Sequence, residues 1–131
     1  MTTQARVPSR EKLLAGHMAH AEAVAHDRKD EHFWAFNAMI DVIWEDPESA
    51  WEVIVEVISR ASDDATLGYV AAGPLEDLIC EHPHLVIERV ETRARQDARF
   101  RKAVAGVWGS NRMPKEIRAR LDVIVANERP W

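Results

Sequence analysis

Residues 51–58 read Trp-Glu-Val-Ile-Val-Glu-Val-Ile, and this run decides the fold class because no other window of the chain is ambiguous between strand and helix. Its β-branched residues favour extended backbone. The preceding Asp-Pro-Glu, residues 46–48, is instead typical of a helix start, with a polar cap, a proline at the first helical position and an acid in the first turn. Ile54 and Ile58 also recur at helical spacing. We therefore predict a helix over 47–60 and an all-α fold.

The same helix-start signals recur along the chain, at prolines and at the short polar residues Ser9, Ser62 and Asp97. The helices expected from them span 9–27, 31–45, 47–60, 63–72, 74–81, 83–96, 98–108 and 114–127. This pattern predicts six to eight helices packed as helical hairpins, in a short α-solenoid-like array or a compact bundle. A shift of 36 residues, which lays Pro47 on Pro83, suggests a helical repeat.

Length and composition bound the organisation of the chain. At 131 residues with 47% hydrophobic and 30% charged residues, we expect a single helical domain over 1–131, with 1–8 flexible and 128–131 peripheral. No apolar run is long enough to span a bilayer and no secretory signal is visible, so we expect a cytoplasmic protein without a membrane partner. The lone Cys80 cannot form an internal disulfide, and we expect a small buried side chain there.

A Gly-Pro pair interrupts the apolar pattern of residues 69–80, Tyr-Val-Ala-Ala-Gly-Pro-Leu-Glu-Asp-Leu-Ile-Cys. A phosphate-binding loop would need several glycines and free backbone amides, whereas Pro74 has no amide and two acids follow it. Gly73 as a helix end and Pro74 as the first residue of the next helix account for the same residues. We therefore predict a corner between two helices.

Two motifs carry a resemblance to a known family: Ala-Ala-Gly-Pro-Leu-Glu-Asp-Leu at 71–78, and Gly-Val-Trp-Gly-Ser-Asn-Arg-Met-Pro at 106–114, with an Arg-rich helix between them. From about Pro47 to Leu121 the chain resembles a family of small bacterial domains of unknown function. The resemblance implies an all-helical bacterial domain. It brings no activity and no catalytic residue.

The histidines are the candidate chemical residues. His17 and His20 stand three residues apart on the first helix, a spacing that can supply two metal ligands. No third ligand from that helix converges on them, so we favour a solvated polar face and predict no metal and no cofactor. His82 and His84 flank a helix start beside a carboxylate, but no orienting group or nucleophile motif accompanies them. We predict no catalytic residue.

The charges are strongly polarised along a chain whose net charge is −5: about +1 over residues 1–30, −12 over 31–91 and +6 over 92–131. Two surfaces are candidate binding sites. The first is an acidic stripe at helical spacing, Glu45, Glu48, Glu52 and Glu56. The second is the basic C-terminal segment, in which we single out Arg93, Arg95, Arg99 and Arg112; Arg93 and Arg99 have the alternative of pairing with acids inside the fold. Trp108 is predicted to seal the core, with an exposed binding anchor as the alternative.

These patterns favour a non-catalytic protein-interaction module of a bacterial cytoplasm. Within that class, small size and acidity suggest an inhibitor or immunity-type protein that binds a basic surface of an unidentified protein partner. A second hypothesis is nucleic-acid or nucleoprotein association through the basic C-terminal segment. A third is a small-molecule hydrolase with scattered histidines and carboxylates.

Overall fold

Eight α-helices follow one another through residues 8–126 and 128, which are the residues that the computed structural model describes. They are α1 (Arg10–Ala25), α2 (Phe33–Glu45), α3 (Pro47–Arg60), α4 (Asp64–Val70), α5 (Glu76–Glu81), α6 (Pro83–Gln96), α7 (Ala98–Ala105) and α8 (Lys115–Val125). A 3₁₀ turn, Ser110–Arg112, precedes α8. No strand occurs in the described residues, so the all-α prediction is confirmed, including the helix predicted over the Val-rich run.

Short polar side chains begin several of these helices as the sequence predicts. The Ser9 hydroxyl accepts a hydrogen bond from the Lys12 amide at 3.1 Å, and the Asp46 carboxylate accepts one from the Ser49 amide at 3.2 Å. Asp97 caps α7 in the same way. At α4 the predicted cap, Ser62, is wrong, because the carboxylate of its neighbour Asp63 accepts the Thr66 amide.

The predicted corner at the Gly-Pro pair is wrong. The chain continues as one helix from Asp64 to Glu81, and α4 joins α5 through the π-helical turn Ala71–Leu75. Within this turn the Glu76 amide donates to the Ala71 carbonyl five residues back. A proline inside an α-helix removes one backbone bond and clashes with a carbonyl of the preceding turn. The wider π turn accommodates Pro74 without ending the helix.

The helices pack around one continuous core. α1 lies against α2, α3 and α4, while α6, α7 and α8 pack on one another and meet the first group mainly where α3 contacts α7. The largest fully buried side chains are Phe100, Met39, Ile43, Ile54, Ile58, Leu67, Leu75, Leu78, Ile79, Ile87, Ile117 and Leu121. α3 and α6, the two helices that the proposed repeat aligns, have the same length and both begin with proline. The elements after them differ, and the repeat stays a prediction.

Some predictions concern the chain ends. The expected flexibility of 1–8 falls on residues that lie, except for Pro8, outside the described part, and so does the expected peripheral position of 128–131, except for Glu128. Glu128 accepts a hydrogen bond from Arg101 Nε at 2.7 Å. Among the described helices, none combines the length and apolar character that crossing a membrane requires.

Candidate functional site

Helix α2 carries large apolar side chains on two opposite sides. One side faces the core with Ala35, Met39, Val42 and Ile43. The other is exposed to solvent: Phe33 is 56% exposed, Trp44 61%, Trp34 38% and Ile40 36%. We call Phe33, Trp34, Ile40 and Trp44 the aromatic face.

Helical geometry explains why these side chains share one surface. Phe33, Asn37, Ile40 and Trp44 follow steps of four, three and four residues, which place them in one row along the helix. Trp34 stands beside the row, where its ring lies over Gly16 of α1. The Lys12 ammonium lies 5.5 Å from the centre of the Trp34 ring, within cation–π distance. Through Trp34, the edge of the aromatic face is in contact with α1.

Two carboxylates flank the same surface. Asp41 and Glu45 are exposed on the Trp34 side of the row. Neither makes an ion pair within the described part of the chain. Both stand near the C-terminal end of α2, where the helix dipole disfavours negative charge. The flank is thus an acidic edge without a counter-ion.

A buried polar network holds the N-terminal end of α2. His20 is 2% exposed; its Nδ1 lies 2.7 Å from Asp30 Oδ2 and its Nε2 lies 2.6 Å from the Tyr69 hydroxyl. Because an ionised carboxylate can only accept, Nδ1–H donates to Asp30; in the neutral form of the ring, Nε2 then accepts from the Tyr69 hydroxyl. Asp30 Oδ1 also accepts the His32 amide at 2.8 Å. The network therefore ties the loop before α2 to α1 and α4.

Aromatic rings enclose this network and connect it to the exposed surface. The His20 ring centre lies 5.6 Å from that of Phe36 and 6.2 Å from that of Phe33. Phe33 and Phe36 stack on each other at 5.3 Å. Phe33 thus touches the buried network with one side and solvent with the other, so the network sets the position of one end of the aromatic face.

The direction of the pKa shift at Tyr69 disfavours one chemical role for this hydroxyl. Burial, together with the nearby charges of Asp30 and Asp77, raises the pKa of the Tyr69 hydroxyl. A phenol that must act as a nucleophile or base needs the opposite shift. The His32 amide, more than the His20 ring, lowers the pKa of Asp30, which keeps that carboxylate ionised as an acceptor. The hydrogen bonds of this network hold His20, Tyr69 and the loop before α2 in position.

His17 lies beside the network without joining it. It is 1% exposed, its ring centre is 5.7 Å from that of His20, and neither ring nitrogen has a hydrogen-bond partner in the described part of the chain. Burial, assisted by His20, lowers the pKa of His17 from 6.5 to about 4. The predicted solvated face for His17 and His20 is therefore wrong, since both are buried. Across residues 8–126 and 128, no three His, Cys, Asp or Glu side chains gather as metal ligands.

The structure places the predicted acidic stripe on α2 and α3 and gives three of its members partners within the chain. Glu48 pairs with Arg89 of α6 at 2.7 Å, Glu52 with Arg10 of α1, and Glu56 with Arg60 one turn on at 2.8 Å. The pairing with Arg89 lowers the pKa of Glu48. The fourth member, Glu45, belongs to the unpaired acidic edge of the aromatic face.

The predicted basic residues are also engaged inside the fold. Arg93 lies 3.3 Å from Asp97, Arg95 donates to the Thr92 hydroxyl at 3.3 Å, and Arg99 Nε donates to the Ile58 carbonyl at 3.1 Å. None of these three guanidinium groups pairs with the acidic stripe. Among the described residues, Arg93 has a carboxylate partner, whereas Arg95 and Arg99 bond to a hydroxyl and to a carbonyl.

Arg112 joins the two sequence motifs at a junction. Its guanidinium lies 3.3 Å from Glu76 and 3.1 Å from Asp77, and Glu76 also accepts the Trp108 amide at 2.9 Å. The prediction that Trp108 seals the core is wrong, because α7 ends at Ala105 and the indole beyond it is 75% exposed. The next residue, Gly109, has a left-handed backbone with φ of +49°.

Cys80 lies near this junction and is only half-buried, so its predicted burial is partial. Burial raises the pKa of the thiol, Arg112 acts in the opposite direction, and the surrounding carboxylates raise it again. A thiol with a raised pKa is a poor nucleophile at neutral pH.

Sequence reasoning missed two groups of residues, for different reasons. Asp30 and Tyr69 lie 10 and 49 residues from His20, so no local spacing connects the three. The aromatic face did leave a signal, because α2 is apolar around most of its circumference. A helix of that kind is either fully buried or presents a second apolar side to a partner.

Comparison with known proteins gives one family. A family model described as a family of unknown function, DUF6869, matches residues 22–129. The match includes α2, Asp30 and Tyr69 and both sequence motifs, and it begins after His17 and His20. No curated protein and no solved structure matches the chain.

Proposed function

We propose a function from the surface of the protein, because the chain belongs to DUF6869, a family whose function is unknown. The protein is a non-catalytic protein-interaction module of a bacterial cytoplasm. Its contact surface is the aromatic face of α2, with Asp41 and Glu45 as the acidic flank. The observation that carries the proposal is the exposure of four large apolar side chains on one side of one helix.

Exposed aromatic side chains in one cluster favour a protein contact. Trp and Phe are enriched at the centres of interfaces, where a few such residues supply most of the binding free energy. From their exposed fractions, the four side chains present roughly 400 Å² of mostly apolar surface, which is within the range of the largest apolar patch on a monomeric protein, and such patches are often functional. Single exposed residues such as Val123, at 77%, are ordinary by comparison.

The acidic flank refines the sequence hypothesis of a partner with a basic surface. Three of the four stripe glutamates already have arginine partners within the chain. The carboxylates that remain to bind a basic surface of the partner are therefore Asp41 and Glu45. Charges of this kind speed encounter and select the orientation, whereas the aromatic side chains supply affinity.

The proposal is tested by affinity capture of the tagged protein from lysate of its own bacterium, with nuclease present, followed by mass spectrometry. The test variant is Ile40→Ser/Trp44→Ser, and the control is Trp108→Ser, which removes an indole that is more exposed than that of Trp44 (75% against 61%) and lies at the motif junction. Circular dichroism first establishes that all three proteins are equally helical. We expect the natural chain to capture a protein, and an untagged copy of the same chain counts as one. This captured protein is expected to be lost with the double variant and retained with the control.

Three other outcomes contradict the proposal. Loss of the captured protein with Trp108→Ser alone would move the contact to the motif junction. Retention with both variants would exclude the aromatic face. Recovery of material only when nuclease is omitted would favour nucleic-acid association, which is expected to weaken steeply with salt.

A further inference from the structure

We propose that the groove between α6 and α8 binds a small carboxylate with an apolar body, of the kind that a medium-chain carboxylic acid provides. This site goes beyond the proposed function, because it shares no residue with the aromatic face and requires no protein partner. Three observations support it: the residues that line the groove, an arginine there without a carboxylate partner, and the local balance of charge.

The groove has the composition of a site for a small ligand with one charged end. Its volume is about 300 Å³, at the lower end of the range for small-ligand sites. Apolar side chains form one part of its wall, and arginines form the other. The lining residues are Glu91, Ala94 and Arg95 of α6, Arg101 of α7, and Arg120, Val123 and Ile124 of α8. Because these three helices pack on one another, the wall is built on helices rather than on a loop.

Two of the three arginines are already bonded within the fold. Arg120 donates through Nε and Nη2 to both carboxylate oxygens of Glu91. Arg101 donates through Nε to Glu128 and through Nη1 to the Ala94 carbonyl, both at 2.7 Å. These bonds hold the two guanidinium groups in place as parts of the wall.

Arg95 is the arginine that remains for a ligand. Its side chain is exposed, and within the described part of the chain its guanidinium makes one hydrogen bond, to the Thr92 hydroxyl at 3.3 Å, and no ion pair. The hydrogen bonds from Arg120 first, and the nearby charge of Arg95 to a smaller degree, lower the pKa of Glu91. A guanidinium with free donors binds a planar carboxylate through two parallel hydrogen bonds. Arg95 can therefore hold the charged end of the ligand.

The charge balance of the groove favours a ligand with a single negative charge. Three arginines line it, and two carboxylates, Glu91 and Glu128, are bonded to two of them, which leaves one positive charge in excess. The whole chain carries −5, so this groove is a local cationic site on an acidic protein. One carboxylate balances the charge of Arg95, whereas a phosphate dianion would keep one negative charge without a counter-ion.

The other carboxylates near these arginines do not remove this excess. Asp97 and Asp122 each form an ion pair with the arginine four residues before it. Glu88, whose charge also acts on Arg120, lines a separate groove together with Trp51. Among the described residues, none of these three acids lines the groove between α6 and α8.

The rest of the wall suits an apolar body. Ala94 is buried, Ile124 is half-buried and Val123 is 77% exposed, so the apolar wall passes from the core to solvent. A hydrocarbon chain that lies along this wall removes apolar surface from water on both sides. We therefore expect the affinity to rise with the length of the chain.

Titration with octanoate at pH 7 and constant ionic strength, followed by ¹H–¹⁵N NMR spectra, tests the site. The amide shifts report both the dissociation constant and the position of the ligand. We expect saturable shifts centred on Arg95, Val123 and Ile124, with a dissociation constant of about 1 mM. Butanoate is expected to bind about tenfold more weakly, because it buries fewer methylene groups. Octylammonium is expected not to bind at this groove, because its charge has the opposite sign.

Arg95→Gln is expected to raise the dissociation constant of octanoate at least about fivefold, since it removes the charged donor. The matched control is Arg28→Gln, which removes another exposed arginine without an ion pair in the described residues, and this variant is expected to bind octanoate as the natural chain does. Val123→Ser is expected to reduce the difference between octanoate and butanoate. Because all three side chains are exposed, we expect the variants to fold, and circular dichroism checks this.

Several results would overturn the inference. One is an absence of saturable shifts up to about 20 mM octanoate, and another is a set of shifts centred on the aromatic face. Equal losses with Arg95→Gln and Arg28→Gln would indicate attraction to net charge rather than a site. Inorganic phosphate that binds at Arg95 as tightly as octanoate would show that the apolar wall contributes nothing. Since α2 is not part of the groove, none of these results decides whether the aromatic face captures a protein.

Discussion

His17 is an unusual residue to find inside this protein, because its imidazole is buried beside His20 with no hydrogen-bond partner in the described residues. Burial first and the neighbouring His20 second lower its pKa from 6.5 to about 4, while the Ala35 backbone, which the ring approaches without the geometry of a hydrogen bond, acts in the opposite direction. Between these two pH values the unfolded chain binds a proton at His17 and the folded chain does not. The contribution of His17 to the free energy of unfolding is therefore constant above pH 6.5 and falls as the pH decreases towards 4.

We predict that stability measured by urea unfolding decreases between pH 6.5 and 4 by about 3 kcal/mol through His17 alone. His17→Leu is expected to remove that part of the pH dependence and to keep or increase stability at pH 7, since it replaces an unpaired imidazole by an apolar side chain. Asp63, whose pKa is lowered to about 2, contributes its own loss only below about pH 4. Equal slopes for both proteins between pH 6.5 and 4 would contradict the burial of a neutral His17.

The histidines also show how far residue-level prediction reaches. Helical spacing placed His17 and His20 close together, and they do lie side by side. Their burial was missed because α1 has polar and apolar residues on the same side, and its environment depends on which other helices cover it. The partners Asp30 and Tyr69 come from a loop and from α4, and no pattern within α1 could indicate them.

At the scale of the helices, the continuous segment from Asp64 to Glu81 contains a Gly-Pro pair that the sequence marks as a break. Local signals predict helix starts well where a polar cap is a neighbour in sequence, as at α3 and α7, and where a proline takes the first helical position, as at α3 and α6. The same proline signal fails at Pro74, because Pro74 and Leu75 are buried and the core holds both halves of the helix in line. Tertiary packing here overrides a local preference.

Substitution of Gly73 tests whether this pair lies within a continuous helix. We predict that Gly73→Ala stabilises the protein by about 0.5–1 kcal/mol. A Cβ at Gly73 meets no atom within 4 Å, and φ there is not positive. A glycine required by a sharp corner would give the opposite result. The measurement is the free energy of unfolding in urea at neutral pH.

Gly16→Ala and Gly109→Ala serve as comparisons and are expected to destabilise. At Gly16 the new Cβ would lie 2.6 Å from Trp34 Cη2, so the indole must move. At Gly109 it would lie 2.9 Å from Glu76 Oε2 on a left-handed backbone. A loss of stability with Gly73→Ala that is similar to these two would indicate that the π turn requires glycine.

The aromatic face illustrates the second limit of prediction at this scale. The apolar period of α2 correctly indicates a helix, and it groups Phe33, Phe36, Ile40, Ile43 and Trp44 into one stripe. In the structure only Ile43 of that stripe is fully buried, and Met39 and Val42 complete the core side instead. When both sides of a helix are apolar, the sequence cannot say which side meets the core. The neighbouring helices decide it.

At the scale of the whole molecule, the acidic centre of the chain and its basic C-terminal segment fold against each other. Arg89 binds Glu48, Lys102 binds Asp64, and Arg112 binds three carboxylates of the long central helix. The opposite net charges of these two segments are therefore explained in part by ion pairs within the fold, and they do not by themselves indicate an outside partner. The alternative that Arg93 and Arg99 pair with Glu88 or with the acidic middle of the chain is wrong, since their partners are Asp97 and the Ile58 carbonyl.

This pairing predicts opposite effects for two neighbouring glutamates of the acidic stripe. Glu48→Lys places a cation against Arg89 and is expected to lower the urea midpoint, with a difference from the natural chain that shrinks as salt is added. Glu45→Lys meets no partner in the described residues and puts a cation near the C-terminal end of α2, where the helix dipole favours it. Its midpoint is expected to be equal or higher. Equal losses with the two variants would mean that net charge, rather than the Glu48–Arg89 pair, governs stability.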